Sequence, residues 1–195
     1  TLSTIDRWKI FDNLRRSLIS TGSITLLIGG WLFLPGPKLG WTLLALFPYL
    51  IPLVTSLISE LFRNLTEEYP KFESRSIRLT ALRSLLEIIF LPHEALVNLD
   101  AIATTIVRLY ITHERMLEWM TAAHSVRLFG KRLHVKSAWQ AMLIAPLMTI
   151  ALGLIILLQD PNALVVAVAF LVGWIFSPTI AARISVPDRQ PRIEF

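Results

Sequence analysis

Long uncharged runs dominate the hydropathy pattern of this chain. Each run is close to the length that a helix needs to cross the hydrocarbon core of a bilayer, roughly 17–25 residues. The four runs cover residues 17–34, 39–59, 138–158 and 163–182. The segments within each pair, Pro35–Lys38 and Gln159–Asn162, are short and rich in turn-forming residues. The pattern therefore predicts an all-α membrane protein with four transmembrane helices in two hairpins, over residues 17–59 and 138–182.

The two flanks of these hairpins differ from each other. Within residues 1–16, Ile5, Trp8 and Phe11 share one side of a helix whose other sides carry charges. A basic amphipathic helix with a tryptophan directly before an apolar run is typical of a segment that lies in the membrane interface. Residues 183–195 are interrupted by proline, which predicts an extended linker to a following domain.

Residues 60–137, between the hairpins, carry too many charges to cross a membrane. A charged residue near the centre of a spanning helix costs roughly 2.5–3.5 kcal/mol. We expect cytoplasmic or interfacial amphipathic helices here, with Pro92 ending a helix over residues 77–91 or opening the next one, Pro92–Ala123. This second helix is predicted to have two faces and to be the element on which the other helices are arranged. Its polar side holds Glu94, Asn98, Thr105, Arg108, Thr112 and Arg115, and its apolar side holds Leu99, Ile102, Ile106, Leu109 and Leu117.

Composition and charge support a membrane location. The chain is 54% hydrophobic, whereas soluble domains are about 45–50% apolar on a broader count. It has no cysteine, which excludes disulfides and thiolate chemistry. Among 19 Lys and Arg residues, Lys38 alone falls in a hairpin turn, so the bias of positive charge towards the cytoplasm places both ends and residues 60–137 there. The excess positive charge therefore indicates topology, and we expect no nucleic-acid partner.

The sequence carries no complete catalytic, cofactor-binding or metal-binding motif. His93-Glu94 begins like a zinc-protease helix, but Val97 stands where the second histidine belongs. Phosphate-binding loops and nucleophile elbows are also missing from the sequence. The conspicuous charged and aromatic residues are better candidates for docking a neighbouring domain. These docking candidates are Arg7, Trp8, Arg15, Arg16, Glu94, Asp100, Arg108, Arg115, Glu118 and Trp119.

Three blocks of sequence resemble the membrane part of bacterial cyclic β-1,2-glucan synthases. They are DRWKIFDNLRRSL (Asp6–Leu18), LPHEALVNLDAIATTIVRLYITHERMLEWMTAA (Leu91–Ala123) and SPTIAARIS (Ser177–Ser185). The resemblance implies that a cytoplasmic glycosyltransferase domain, using UDP-glucose and a divalent metal, precedes these residues. It also implies that a glycoside-phosphorylase-like domain follows them. Since Thr1 opens the chain without a methionine, we expect a segment of a longer polypeptide.

The resulting hypothesis is a membrane-anchoring region of a cyclic β-1,2-glucan synthase-like enzyme in the bacterial inner membrane. The lipid bilayer and the catalytic domains of the same polypeptide would be its partners. The alternative from another class is a stand-alone small membrane scaffold or a transporter subunit. A third hypothesis is passage of glucan through the spans, which would need polar and aromatic residues to line a bundle. The aromatic residues available are Trp31, Trp41, Tyr49, Trp139 and Trp174, although aromatic belts at the membrane interfaces explain most of these positions.

Overall fold

The computed structural model describes residues 3–66, 74–113 and 135–185. These residues are almost entirely helical and contain no strand, which confirms the predicted all-helical class. The long helices are α1 (Thr4–Leu32), α2 (Lys38–Thr66) and α3 (Ser74–Val107), and a π-helical turn (Arg108–Thr112) follows α3. After the second gap come α4 (Val135–Met142), α5 (Ile144–Gln159), a 3-10 turn (Pro161–Ala163) and α6 (Leu164–Ile184).

The first helix is continuous where the sequence predicted an interfacial helix followed by a separate span. Its start is fixed by Ser3, whose hydroxyl oxygen accepts a hydrogen bond from the Asp6 backbone N–H at 3.2 Å. This pairing satisfies one of the free N–H groups of the first turn. No capping residue or left-handed residue interrupts the chain near residue 16, and the helix therefore continues to Leu32.

Within the described parts of the chain, two helices are long and apolar enough to cross a membrane, over Lys38–Arg63 and Pro161–Ile184. Helices α4 and α5 would form a third span if they act as one, although their axes bend by 63° at Leu143. Helix α1 is not among these candidates, and its half beyond residue 16 is rich in serine, threonine and glycine. A membrane location is compatible with these helices, whereas four spans in two hairpins stay a prediction.

The expected helix break at Pro92 is wrong. Helix α3 continues through Pro92 for another fifteen residues, to Val107. Proline has no backbone N–H, and the carbonyl of Ile88 therefore loses its usual donor four residues later. The indole Nε1–H of Trp174 in α6 donates to that carbonyl at 2.9 Å. A side chain 86 positions away in sequence thus supplies the hydrogen bond that Pro92 removes.

The same kind of replacement occurs inside α6. Pro178 leaves the Trp174 carbonyl without its helical donor. The Ser177 hydroxyl donates to this carbonyl at 2.8 Å, and both side chains are buried. Trp174 therefore takes part in both of the hydrogen bonds that replace those lost at prolines. Its side chain donates one, and its backbone carbonyl accepts the other.

The C-terminal end of the α3 segment is also shorter than predicted. The π-helical turn ends at Thr112, and His113 adopts a left-handed backbone with φ 55°. Its N–H donates to the Arg108 carbonyl at 2.9 Å, which closes the turn. The predicted helix to Ala123 is thus interrupted at His113, and residues 114–123 lie outside the described residues.

An aromatic cluster holds the apolar end of the helical bundle together. The rings of Trp31, Phe170 and Trp174 are 5.8–6.3 Å apart and tilted, within the favourable range for aromatic pairs. An ion pair joins the two short turns. It is formed by Lys38 and Asp160, at a distance of 3.5 Å. The two turns therefore lie together at one end of the bundle, close to the buried aromatic side chains.

Candidate functional site

A polar cleft opens where α1, α2 and α3 meet, and we call it the junction cleft. It has a volume of about 260 Å³. Its lining consists of Arg16, Ile19 and Ser20 from α1, Pro48 and Tyr49 from α2, and Glu87 and Glu94 from α3. Polar groups from three helices thus converge on one space, although the chain is otherwise strongly apolar.

Helical periodicity explains how these residues come together. Glu87 and Glu94 are seven residues apart on α3 and therefore share a face. Arg16 and Ser20 are four apart on α1 and share a face for the same reason. Tyr49 is buried beside them, with only 7% of its surface exposed.

A hydrogen bond between α1 and α3 fixes one side of the cleft. The Asn98 amide Nδ2 donates to the Ser20 hydroxyl at 2.9 Å. Ser20 is 1% exposed and Asn98 is half-buried. Because an unsatisfied buried polar group is costly, this pair favours one relative position of the two helices.

The charges around the cleft are unevenly compensated. Asp12 pairs with Arg15 at 2.9 Å and with Arg16 at 2.7 Å, and the charge of Arg16 therefore has a partner on its own helix. Hydrogen bonding from Arg15, reinforced by Arg16, holds the pKa of Asp12 below its ordinary value despite some desolvation. In the described parts of the chain, Glu87 and Glu94 form no ion pair. Partial desolvation, followed by repulsion from Glu87, raises the pKa of Glu94 although its side chain is exposed.

The structure gathers only part of the predicted docking set. Arg7, Trp8, Arg15 and Arg16 lie on the exposed N-terminal half of α1, and Arg16 also reaches the junction cleft that contains Glu94. Asp100 is exposed and Arg108 is half-buried, both beyond the cleft on the α3 segment. Three further candidates, Arg115, Glu118 and Trp119, fall outside the described residues.

Two apolar stripes border these polar groups, and neither is covered by the described residues. The stripe on α1 consists of Ile5, Trp8, Phe11, Leu14 and Leu18, which are 42–67% exposed. The stripe on the α3 segment consists of Leu99, Ile106 and Leu109, which are 44–51% exposed. Both follow the helical spacing predicted from the sequence. Exposed apolar stripes of this kind are typical of surfaces that meet a membrane or another protein.

A larger groove of about 530 Å³ lies between α1, α3, α5 and α6. Its lining is almost wholly apolar and includes Ile28, Leu96, Leu152 and Trp174. The Thr149 hydroxyl at its edge donates to the Ala145 carbonyl and is therefore satisfied within α5. The groove offers a site for an apolar group and no acid–base chemistry.

Metal chemistry has no support in the described ranges. Within residues 3–66, 74–113 and 135–185, no three His, Asp or Glu side chains come close enough together to hold a metal ion. His93, from the incomplete zinc-protease pattern, is half-buried, and burial lowers its pKa.

Sequence reasoning missed most of the junction cleft. It did not single out Glu87, and it placed Asn98 on a polar side without a contact. The spacing of Glu87, Glu94 and Asn98 along one helix was a usable signal. The roles of Ser20 and Tyr49 depended on contacts between helices, which the spacing within one helix does not contain.

Comparison with known proteins finds a similarity to a glucan synthase. No family model matches the chain. The chain is 30% identical over 185 residues to the cyclic beta-(1,2)-glucan synthase NdvB of Rhizobium meliloti (strain 1021). The chain is similar to one segment of a cyclic glucan synthase. The match covers 92% of this chain but only 6% of NdvB, and it confirms the resemblance found in the three sequence blocks.

Proposed function

We propose that this chain anchors the glucosyltransferase part of a cyclic β-1,2-glucan synthase-like enzyme to the bacterial inner membrane. The similarity to NdvB over 92% of the chain is the observation that carries this proposal. The anchoring role is supported by the two or three candidate membrane spans among the described residues. In this proposal a cytoplasmic domain of the same polypeptide uses UDP-glucose with a divalent metal, and a phosphorylase-like domain follows the anchor.

The proposed orientation places both ends of the chain and residues 60–137 in the cytoplasm. The bias of Lys and Arg towards these regions supports it. The ion pair between Lys38 and Asp160 adds a structural argument, because it brings the two short turns to the same end of the bundle. Such an arrangement leaves the charged regions free to contact catalytic domains on the other side of the membrane.

The proposed docking surface combines a membrane-facing side and a protein-facing side. The apolar stripe of α1, with Trp8 at its centre, would lie in the interface between lipid and water. Arg7, on another side of the same helix, is exposed and available to the glucosyltransferase domain. Asp100 on α3 offers the opposite charge for a second contact. Such surface pairs guide orientation more than they add affinity.

Charge reversal in the intact polypeptide tests this proposal. Arg7→Glu combined with Asp100→Lys should lower the incorporation of glucose from labelled UDP-glucose several-fold, while the protein stays in the carbonate-washed membrane fraction. Lys9→Glu is the matched control, because residues 7 and 9 point in nearly opposite directions on one helix. Equal incorporation by the double variant and the control would reject the docking role. The anchoring role has its own test, in which this chain is expressed without substitutions. Its absence from the carbonate-washed membrane fraction would reject the anchoring role.

A further inference from the structure

Membrane anchoring does not explain the polar lining of the junction cleft. A membrane anchor is best served by apolar surface, and a cleft that contains two carboxylates and an arginine opposes burial in lipid. Nevertheless Arg16, Tyr49, Glu87 and Glu94 converge there from three different helices. Their arrangement therefore calls for a polar occupant or water.

The charges of the cleft argue against an anionic ligand. Among the described residues that line the cleft, Arg16 is the only cation, and its guanidinium already pairs with Asp12 at 2.7 Å. Glu87 and Glu94 would repel a phosphate or carboxylate brought between them. A bound metal ion is also disfavoured, since the described residues provide no group of three metal-binding side chains.

The hydrogen-bonding groups of the cleft suit a ligand rich in hydroxyls. The carboxylates of Glu87 and Glu94 offer acceptor oxygens to a ligand, whereas the Ser20 hydroxyl already accepts a hydrogen bond from Asn98. The missing N–H of Pro52 leaves the carbonyl of Pro48, a residue of the cleft lining, without its usual helical donor. A sugar presents several hydroxyl donors and no charge, which matches this excess of acceptors.

The size of the cleft limits the ligand to a small unit. Its volume of about 260 Å³ is below the roughly 300–1,000 Å³ of pockets that hold drug-sized ligands. Ile19 and Pro48 add apolar surface beside the polar groups. One pyranose ring combines the same two features, with hydroxyls at its edge and C–H groups on its faces.

We propose that the junction cleft binds one glucosyl unit of a β-1,2-linked glucan, through hydroxyl contacts to Glu87, Glu94 and the Pro48 carbonyl. This inference rests on the proposed function, which supplies the class of sugar. It gives the anchor a direct contact with the product of the enzyme, close to the Ser20–Asn98 bond that joins α1 to α3.

Binding of a defined oligosaccharide to the intact polypeptide in nanodiscs tests this site. The probe is a linear β-1,2-linked glucose oligomer, and saturation-transfer NMR or calorimetry reports its affinity. Glu87→Gln combined with Glu94→Gln should weaken binding to this site at least tenfold, because hydrogen bonds to charged groups are the strong ones. Asp160→Asn, at the other end of the bundle, should leave the affinity unchanged. Equal affinities in the double variant and the control would overturn the proposal.

A second experiment avoids any dependence on the carboxylate variants. The chain contains no cysteine, and Ile19→Cys therefore introduces a single thiol in this region, at the wall of the cleft. The oligosaccharide should slow maleimide labelling of this cysteine several-fold, and it should not slow labelling of the exposed position Thr104→Cys. Protection by tetramethylammonium instead of the sugar would overturn the proposal in favour of an ammonium site. The oligosaccharide could fail to protect the cysteine in a protein that still associates with the membrane and still incorporates glucose from UDP-glucose. That result would reject the sugar site alone and leave the proposed function intact.

Discussion

The two halves of α1 belong to one helix, yet their apolar side chains have opposite environments. In the C-terminal half, Leu27 and Trp31 are fully buried against α2, α3 and α6. In the N-terminal half, Ile5 and Trp8 are 66% and 67% exposed. Both halves show helical periodicity, and periodicity therefore indicates which side of a helix is apolar but not what covers it.

The difference between the halves separates two sources of stability. Trp31 donates from its indole nitrogen to the Thr42 hydroxyl at 2.9 Å and packs against Trp174. Trp8 contacts Phe11 on its own helix, with ring centroids 6.2 Å apart. The C-terminal half therefore holds the fold together, whereas the N-terminal half presents a surface whose partner must come from the membrane or another domain.

Truncation of the two tryptophans should give the largest contrast between the halves. Trp31→Ala removes a buried ring and its hydrogen bond, and it should lower the free energy of unfolding by about 3–5 kcal/mol. Trp8→Ala should change it by about 0.5 kcal/mol or less, because an exposed side chain loses little packing. Thermal unfolding of the full chain in nanodiscs measures both. Equal destabilisation by the two variants would show that the N-terminal half is packed after all.

Two glycines of α1 extend this comparison to the backbone. A Cβ at Gly30 would lie 2.5 Å from the Cβ of Trp41, too close for an ordinary contact. Gly30→Ala should therefore push α1 and α2 apart and cost about 1–3 kcal/mol. A Cβ at Gly22 meets nothing within 4 Å, and Gly22→Ala should stabilise the helix by about 0.5–1 kcal/mol. The two variants should change the free energy of unfolding in opposite directions in the same assay. Destabilisation by both variants would contradict this prediction.

The hydrogen bond from Trp174 to the Ile88 carbonyl connects the packed region to α3. Trp174→Phe keeps an aromatic ring but leaves this carbonyl without a donor, which should cost about 1–3 kcal/mol. In a Pro92→Ala background the residue at position 92 regains its N–H and can bond the Ile88 carbonyl itself. The cost of Trp174→Phe should therefore shrink by more than half in that background. A double-mutant cycle measures this difference. If Trp174→Phe destabilises the protein equally in both backgrounds, the packing of the indole ring accounts for its effect, and the hydrogen bond does not.

Pro92 and Trp174 also show where prediction from sequence succeeds and where it fails. The uncharged runs predict the helical class, because backbone hydrogen bonds inside an apolar phase are satisfied within helices. The same local logic predicts a helix end at Pro92, since proline removes a donor. That donor is replaced by a residue 86 positions away, and no local pattern contains this information.

The junction cleft was less predictable than the fold for a related reason. Glu87, Glu94 and Asn98 lie on one helix, and their common face follows from spacing alone. Which residues they meet depends on how α3 crosses α1 and α2. The pairing of Asn98 with Ser20 favours that crossing, and both are ordinary polar residues whose sequence context predicts no contact.

The Ser20–Asn98 pair lies between the packed and exposed halves of α1, and it offers the smallest and sharpest test of the comparison. Each single change, Ser20→Ala or Asn98→Ala, should cost about 0.5–1.5 kcal/mol, which is the net value of a typical hydrogen bond. The double variant should cost less than the sum, because both changes remove the same bond. Changes at Phe11, which directly precedes Asp12 in the sequence, should be additive with either variant, since among the described residues the exposed half makes no hydrogen bond of this kind. Coupling of Phe11→Ala to Asn98→Ala would extend the packed region beyond Ser20 and move the division between the halves towards the N-terminus.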